Sequence, residues 1–424
     1  MLNVPHSPAV NHTTETDTPD APAADAQGAS RLRPRGSNQV GMRQFNERVV
    51  LQTLRAHGSL AKADLARLTG LTAQTIGLIT ARLDEDQLLN RGAPVRGRVG
   101  QPSVPLGLHP DGAFAIGIKI GRRSADWLLV DFTGRVRERL VLDYAFPDIP
   151  VLLPAIKSNL NRLLDGLGPL RDRVVGVGVA APFQLGGWHR MLGLTEAQSL
   201  AWNQIDLVAE VQALTDLPIS FAKDTSAACV AELLQGRGRD LRNFLYLFMD
   251  TFVGGGLVLN SHLHRGIHGN AAAVASLPLQ VAQAGGGLPP QLISQASLWD
   301  LEQRYREHGL DPMAAYDQRA LQAPWLAHSQ EWIGRAALAL AQCVVSGTAF
   351  LDVEAVVMDG AVAPDLLRAL CEATRAALAA YSWEGLHRPR LELGSIGSDA
   401  RALGGALLPL HTCFAPDHDV ILKV

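Results

Sequence analysis

Residues 46–102 constrain the fold of this chain more than any other segment, because they combine three short amphipathic helical patterns with a turn that contains Gly and Pro. Apolar residues recur at helical spacing over about 46–56, 62–68 and 72–83. The residues predicted to face a shared core are Val50, Leu51, Leu54, Leu65, Leu68, Ile76, Ile79 and Leu83. The pattern predicts a compact three-helix unit.

Three residues mark the boundaries of these helices. Gly58 ends the first helix and Gly70 makes the turn after the second, because glycine adopts a positive φ at low cost. Thr72 is placed to cap the third helix. Two helices joined by such a turn form either a plain helical hairpin or a helix-turn-helix that places its second helix in a DNA major groove.

The residues that follow favour the DNA-binding alternative. Leu88 and Leu89 begin a strand, a turn with Arg96 and Arg98 follows, and another strand completes a β-wing whose tip would enter the minor groove. Residues 39–110 hold nine Lys/Arg against five Asp/Glu, whereas the chain beyond them holds 26 against 32. A basic module on an acidic body indicates a local nucleic-acid contact. The residues predicted to contact DNA are Lys62, Thr72, Gln74, Thr75, Leu78, Arg82, Arg96, Arg98 and Gln101.

Length and composition favour a globular protein of several domains. A chain of 424 residues can hold two or three hydrophobic cores. Residues 1–38, rich in Pro, Ala, Thr and Asp, predict a disordered tail rather than a signal peptide. No run approaches the ~20 apolar residues of a transmembrane helix, so we expect a cytoplasmic protein without a membrane partner. The widely spaced cysteines predict buried free thiols and no metal site.

After residue 110 strands and helices alternate. The first half is predicted to contain strands at 114–120, 125–132 and 136–146, a helix at 150–166, a strand at 174–182, a helix near 204–214, a strand at 218–224 and a helix at 226–235. The second half begins again with strands at 244–250 and 255–263, and continues to a strand at 355–360, a helix at 366–381 and a last strand and helix. Such a repeated plan is typical of the α/β actin-like (ribonuclease H-like) fold of sugar kinases.

With these motifs the chain resembles the ROK family of repressors, open reading frames and kinases over roughly residues 44–420. The matching motifs are RQFNERVVLQTLRAHGSL, DLARLTGLT, the wing GRVGQP, GVGVAAP, the KD at Lys223–Asp224 with AELLQG behind it, HGN, and VVMDG. Beyond the tail predicted from composition (1–38), the resemblance implies a winged helix-turn-helix (39–110), one lobe at 111–240 whose last helix lies near 398–412, and a second lobe at 241–424. Many repressors of the family carry Arg where this wing has Gln101, which implies a weaker grip on the minor groove.

The kinase motifs of the family are altered in this chain. Family kinases build their first phosphate loop from D-x-G-G-T, where this chain has Lys119 in place of Asp, and Arg122 and Arg123 in place of Gly and Thr. A long side chain at a glycine position blocks the close backbone approach that phosphates need. The second loop, DTFVGGG, begins with Asp250, a negative charge near the expected phosphates. We therefore predict a body without kinase activity and without a cofactor.

The resemblance also implies an altered sugar site. Asp224 corresponds to the general base of family kinases, here vestigial, and Lys223 replaces a sugar-binding Asn. Ala273 and Ser276 stand at the positions of a Glu and a His, and Ile293 aligns with another sugar-binding Glu. The residues predicted to bind an effector are Lys223, Asp224, Asn270, Ala273 and Ser276. These exchanges disfavour an ordinary hexose; a less polar ligand, an anion bound by Lys223 or Lys119, and an empty cleft all stay open.

Two functions from different classes follow. In the first, the chain is a transcriptional regulator, a repressor of carbohydrate-uptake or catabolic genes that binds a double-stranded DNA operator as a homodimer or tetramer. Its second partner would be a small-molecule effector, a sugar or a derivative, or in a further variant a protein. In the second, the chain is an ATP-dependent sugar kinase with an accessory helix-turn-helix. The altered phosphate loops favour the regulator.

Overall fold

The computed structural model describes residues 39–94, 103–182, 195–283 and 286–416. The predicted tail at 1–38 lies outside the described residues. So does the predicted wing tip with Arg96, Arg98 and Gln101.

The N-terminal module contains three helices and a two-stranded sheet. The elements are α1 (Gln39–His57), α2 (Lys62–Thr69), α3 (Ala73–Glu85), β1 (Leu89–Arg91) and β2 (Leu106–Leu108). The two strands pair antiparallel, with Leu89 opposite Leu108. The first helix begins at Gln39 rather than near residue 46, because the residues before Asn46 continue the same helical turn. The predicted order of three helices and a strand pair is confirmed.

The three residues predicted to mark the ends of these helices, Gly58, Gly70 and Thr72, have the predicted roles. Gly58 and Gly70 have φ of 76° and 71°, so both turns use the left-handed conformation that glycine tolerates. Thr72 caps α3, since its Oγ1 accepts a hydrogen bond from the backbone N–H of Thr75 at 3.1 Å. The predicted core residues are buried with one exception, Leu68, which is 40% exposed. That prediction was wrong because a two-turn helix packs along one line, here through Leu65, and position 68 lies about 60° away from it.

The first half of the body is a five-stranded mixed sheet with helices. Its elements are β3 (Phe114–Ile120), β4 (Ser124–Asp131), β5 (Val136–Asp143), α4 (Ile149–Gly166), β6 (Val174–Ala181), α5 (Glu196–Gln204), α6 (Leu207–Gln212), β7 (Ile219–Lys223) and α7 (Asp224–Gln235). The strand order is β5-β4-β3-β6-β7. One helix near 204–214 was a wrong prediction, because Thr195 and Asp206 each cap a separate helix.

The second half repeats this arrangement. Its elements are β8 (Phe244–Met249), β9 (Gly254–Leu259), β10 (His262–Leu263), α8 (Ile293–Ala296), α9 (Leu298–Glu307), α10 (Leu326–Leu351), β11 (Ala355–Gly360), α11 (Pro364–Ala377), β12 (Arg390–Leu393) and α12 (Ala400–Phe414). The strand order β10-β9-β8-β11-β12 matches the first sheet strand for strand. The predicted α/β class with a duplicated actin-like plan is confirmed.

The last helix, α12, returns from the second half to cover the first sheet. A Cβ on Gly117 of β3 would lie 2.3 Å from the backbone nitrogen of Ala406, and one on Gly178 of β6 would lie 1.9 Å from the carbonyl oxygen of Gly405. No side chain fits such gaps, so glycine on both strands is what allows the helix to touch the sheet. The two halves are thereby joined by packing as well as by the chain.

The N-terminal module packs directly on this body. Its buried core continues into the residues of β4, α7 and α12 as one apolar cluster. At the junction the Arg55 guanidinium lies 5.3 Å from the ring centre of Phe132, and Phe132 meets Phe414 edge-on at 4.8 Å. Arg48 Nη1 donates to the carbonyl oxygen of Ala415 at 3.2 Å. The end of α12 is therefore in contact with α1.

Two predictions from composition need correction. The helix α10 is long and apolar enough to cross a membrane, although half of its most apolar window is buried inside the protein. The expectation that no run approaches that length was wrong; Trp332 and Leu340 of this helix pack in the core of the second half. Of the four free cysteines, Cys413 is only partly buried, because it lies near the end of α12.

Candidate functional site

The exposed face of α3 carries three of the residues predicted to contact DNA. Gln74, Leu78 and Arg82 are four residues apart, so they share one face of the helix, and all three are exposed. Ile76 and Ile79 are buried on the other side. Leu78 is 57% exposed, so its side chain is open to apolar contact with a partner on this face.

The remaining residues predicted to contact DNA differ in their exposure and in the side chains that they contact. Lys62 is exposed at the first position of α2, while Thr75 is half-buried. The hydroxyl of Thr75 lies 2.8 Å from that of Thr72, so both threonines belong to the cap of α3. Arg82 is paired with Glu47 of α1 at 3.3 Å. An exposed pair of this kind contributes little stability, so a phosphate can replace the carboxylate.

A cavity of about 210 Å³ lies between the two halves of the body. It is bordered by the start of α7, the segment after β8, residues of the 270–276 segment, and the two residues that directly follow β3, Gly121 and Arg122. All five predicted effector residues line it: Lys223, Asp224, Asn270, Ala273 and Ser276. Ile293, aligned with a sugar-binding Glu of the family, lines it as well. The structure thus brings this predicted set together, and its role in binding stays a prediction.

Arg401 is the cleft residue that sequence reasoning missed. Its Nη1 lies 2.6 Å from Asp250 Oδ2 and 3.6 Å from Asp224 Oδ2, and its guanidinium is 5.1 Å from the ring centre of Phe248. Burial lowers the pKa of Arg401, but attraction to Asp250 and Asp224 outweighs burial and leaves that pKa raised. The charge of Asp250 is therefore balanced by Arg401, which weakens our expectation that this carboxylate repels phosphate.

Lys223 is held by the loop opposite to it. Its Nζ donates to the carbonyl oxygen of Ala271 at 3.0 Å, to Asn270 Oδ1 at 3.3 Å and to the carbonyl oxygen of Ala272 at 3.5 Å. Burial lowers the pKa of Lys223 to about 8, against the opposing attraction of Asp224. Each of the three ammonium hydrogens has one acceptor in residues 270–272, so Lys223 holds this loop in place.

Lys119 is also committed elsewhere. Its Nζ donates to Asp126 Oδ2 at 3.0 Å and to Ser124 Oγ at 2.9 Å. The side chain is buried, and the residues lining the described cavity do not include it. The structure therefore does not favour an anion bound by Lys119 or Lys223.

The segment at the position of the first phosphate loop contacts the second half of the body instead. Arg123 Nη2 donates to both carboxylate oxygens of Glu302 in α9, each at 2.9 Å, and its guanidinium lies 5.0 Å from the ring centre of Tyr316. Arg122 lines the cavity, with its guanidinium 5.4 Å from the ring centre of Trp299. These contacts cross the cleft.

Among the described residues no group of three or more His, Cys, Asp and Glu side chains is placed to hold a metal ion.

The family model described as "ROK family" matches residues 115–411. That match covers more than two thirds of the chain. The chain belongs to the ROK family.

Relatives of this ROK protein include proteins named as regulators. An uncharacterized protein of Sinorhizobium fredii is 25% identical over 375 residues, 87% of this chain and 92% of that protein. A xylose repressor of Bacillus spizizenii is 22% identical over 237 residues, 55% of this chain and 60% of the repressor. A transcriptional regulator of Mycobacterium tuberculosis is 26% identical, covering 56% of this chain and 54% of the regulator. The ROK protein thus spans 60% of the length of this xylose repressor and 54% of this mycobacterial regulator.

Solved structures share the fold of this ROK protein. A ROK family transcriptional regulator, a homologue of the Escherichia coli Mlc protein, aligns with a TM-score of 0.65 and 19% identity, covering 90% of this chain and 98% of that one. A ROK family glucokinase from Streptomyces griseus, solved with glucose and AMPPNP, aligns with a TM-score of 0.55 and 20% identity over 69% of this chain and 98% of its own. At these identities the likeness shows the fold, which regulators and kinases have in common.

Proposed function

We propose that this ROK protein is a DNA-binding transcriptional regulator, a repressor of carbohydrate-uptake or catabolic genes. The observation that carries the proposal is the exposed face of α3, with Gln74, Leu78 and Arg82. The module that contains α3 packs directly against a body whose cleft is large enough for a small ligand. Relatives named xylose repressor and transcriptional regulator support it. Such a protein works in the cytoplasm, where its operator is.

The body of this regulator is not a kinase. Arg122 and Arg123 contact Trp299 and Glu302 across the cleft, where a nucleotide would need open backbone. Asp224, at the position of the general base, lies 3.6 Å from Arg401 Nη1, which also pairs with Asp250 at 2.6 Å. Both observations support an effector-sensing role for the cleft.

The regulator binds its operator as a homodimer or a tetramer, because one winged module on one half-site binds weakly. We assign DNA recognition to residues 39–110 and effector sensing to the two lobes at 111–240 and 241–424. The effector is a small molecule, a sugar or a derivative, held by the residues that line the cleft. Its binding changes the spacing of the two recognition helices.

Selection of genomic fragments by the full-length protein tests DNA recognition. We expect enrichment of a near-palindromic site and binding that weakens steeply with salt. Gln74→Ala is expected to change the preferred bases, whereas Arg98→Ala weakens binding to all sequences and lowers the salt slope by about 1. Gln330→Ala, the same change at an exposed position of α10, serves as the control. Fragments without a common sequence would overturn the proposal.

A coupled ATP-turnover assay over a panel of sugars tests the kinase alternative. We expect no turnover above background. Turnover that disappears in Asp224→Asn would show that the cleft is catalytic, and the regulator would then have to share the chain with an enzyme.

A further inference from the structure

We propose that the effector of the cleft is a small anion whose carboxylate or phosphate group binds Arg122. The inference rests on the proposed function, because it names the chemical class of the ligand of the same cleft. Three observations carry it: an enclosed donor without an acceptor, an excess of positive charge around it, and the commitment of the other cleft cations to partners.

The first observation concerns the Arg122 guanidinium itself. Its Nη1 is enclosed by protein and has no hydrogen-bond acceptor in the part of the chain that the structure describes. The side chain lines the cavity and lies against Trp299. A buried charged donor without an acceptor is costly, and a ligand oxygen bound to this guanidinium would remove that cost.

The second observation is the charge around Arg122. Three guanidinium groups, those of Arg122, Arg123 and Arg306, lie near one carboxylate, Glu302. The oxygens of Glu302 already accept from Arg123 at 2.9 Å, from Arg306 at 2.7 Å and from Tyr316 at 2.6 Å. Burial lowers the pKa of Arg122, and repulsion by Arg123 lowers it further. A second negative charge is missing beside Arg122.

The third observation is that other cations of the described cleft have partners. Lys223 donates to three oxygens of residues 270–272, and Arg401 lies between Asp224 and Asp250. A ligand that used either cation would have to break these contacts. Arg401 Nε also has no acceptor among the described residues, but a ligand that displaced Arg401 would break its pair with Asp250. Arg122 offers a hydrogen bond without such a cost.

The rest of the cavity wall limits the size of the ligand. Ala273, Val274 and Ile293 are apolar, and Asn270 is the neutral polar group beside them. The volume of about 210 Å³ is below the ~300–1,000 Å³ of pockets for drug-sized molecules. The site therefore fits a small metabolite with an acidic group at one end.

Binding measurements on the full-length protein test the inference. The probes are inorganic phosphate, gluconate and glucose 6-phosphate, with glucose as the uncharged match, at constant ionic strength. We expect at least one anion to bind by calorimetry and to raise Tm, while glucose at the same concentration does neither. Gluconate and glucose 6-phosphate distinguish a carboxylate from a phosphate ligand.

Variants assign the binding to Arg122. Arg122→Gln is expected to weaken the anion at least tenfold, and Arg122→Lys to weaken it less. Arg388→Gln is the matched control, because Arg388 also lies against a tryptophan, Trp383 at 5.5 Å, but outside the cleft. Failure of all three anions to bind, or equal binding by wild type and Arg122→Gln, overturns the inference.

Operator binding is measured separately in the absence of any probe. Sequence-specific DNA binding by a protein that ignores all three anions would refute this inference and leave the proposed function intact. Anion binding through Arg122 without any DNA preference would do the reverse.

Discussion

At the scale of single residues, Arg401 has the largest consequence for the cleft, because it joins acidic groups from two distant parts of the chain. Asp224 belongs to the first half and Asp250 follows β8 of the second, and only 13% of the Arg401 side chain is exposed. An ion pair at such a depth contributes little by itself, but loss of one member leaves unbalanced charges away from water.

We expect Arg401→Met to lower the free energy of unfolding by about 3–5 kcal/mol, since it leaves Asp224 and Asp250 without their cation. Urea unfolding at neutral pH measures the loss. Arg388→Met, at a largely exposed position, is expected to change stability by less than ~0.5 kcal/mol. Equal effects of the two changes would refute the role given to Arg401.

Lys223 predicts a dependence of stability on pH. Its pKa is about 8 in the folded protein against 10.5 when unperturbed. Between these values the unfolded chain keeps a proton that the folded chain has released, so the contribution of Lys223 to stability rises with pH.

Unfolding of wild type and Lys223→Met from pH 7 to pH 10 tests this expectation. The difference in unfolding free energy between the two should move in favour of wild type as the pH rises through 8. Because other titrating groups are common to both proteins, their effects cancel in the difference. A constant difference, or one that moves towards the variant, would contradict the assignment.

At the scale of elements, the strands were predictable and the contacts between distant elements were not. Continuous apolar runs such as 114–120 and 355–360 became β3 and β11 with the predicted ends. Leu68 was misplaced because helical spacing does not show which side of a short helix is covered. The pair Arg123–Glu302 joins residues 179 positions apart, and one sequence contains no signal for such a pairing.

The same limit applies to the cleft. Family motifs predicted Lys223, Asp224 and Asn270 as neighbours, and they do line one cavity. Arg401 belongs to no quoted motif, and its position at the start of α12 gave no reason to place it beside Asp224. The partners of a charged side chain depend on how elements pack, which local patterns do not encode.

The packing of α12 predicts opposite effects for two glycine substitutions in helices. A Cβ on Gly404 would lie 1.7 Å from the carbonyl oxygen of Ala227 in α7, so Gly404→Ala must push the helices apart. We expect a loss of about 1–3 kcal/mol in unfolding free energy. At Gly334 of α10 a Cβ meets nothing within 4 Å, so Gly334→Ala should be neutral or stabilise by up to ~1 kcal/mol. Equal urea midpoints for the two variants would contradict this packing.

At the scale of the whole molecule, α12 connects the cleft to the N-terminal module. Its first turn carries Arg401 beside Asp250, and the residue after its last turn, Ala415, accepts a hydrogen bond from Arg48 of α1. Fifteen residues of helix span about 22 Å. A shift of Arg401 on ligand binding would therefore reach α1 through one continuous helix.

We expect Arg55→Ala to loosen the N-terminal module without affecting the second half of the body. Burial lowers the pKa of Arg55 to about 10, partly offset by Asp131, and its guanidinium packs on Phe132 at the junction. Hydrogen exchange followed by mass spectrometry should show faster exchange in α1 and unchanged exchange in β11. Arg67→Ala, an exposed arginine of α2, is the control. Unchanged exchange in α1 would mean that the junction does not stabilise the module.

The return of α12 to the first sheet also sets the order in which a ribosome can complete this protein. Residues 111–235 leave the ribosome early, but the helix that packs on Gly117 and Gly178 of their sheet is absent until residues 400–414 follow. At about 5–20 residues per second that interval is roughly ten to thirty seconds. The core of the N-terminal module continues into α12, so the N-terminal helices are made before this part of their packing surface exists. We therefore expect chains that end before residue 400 to hold these helices less firmly and, under the proposed function, to compete poorly for DNA.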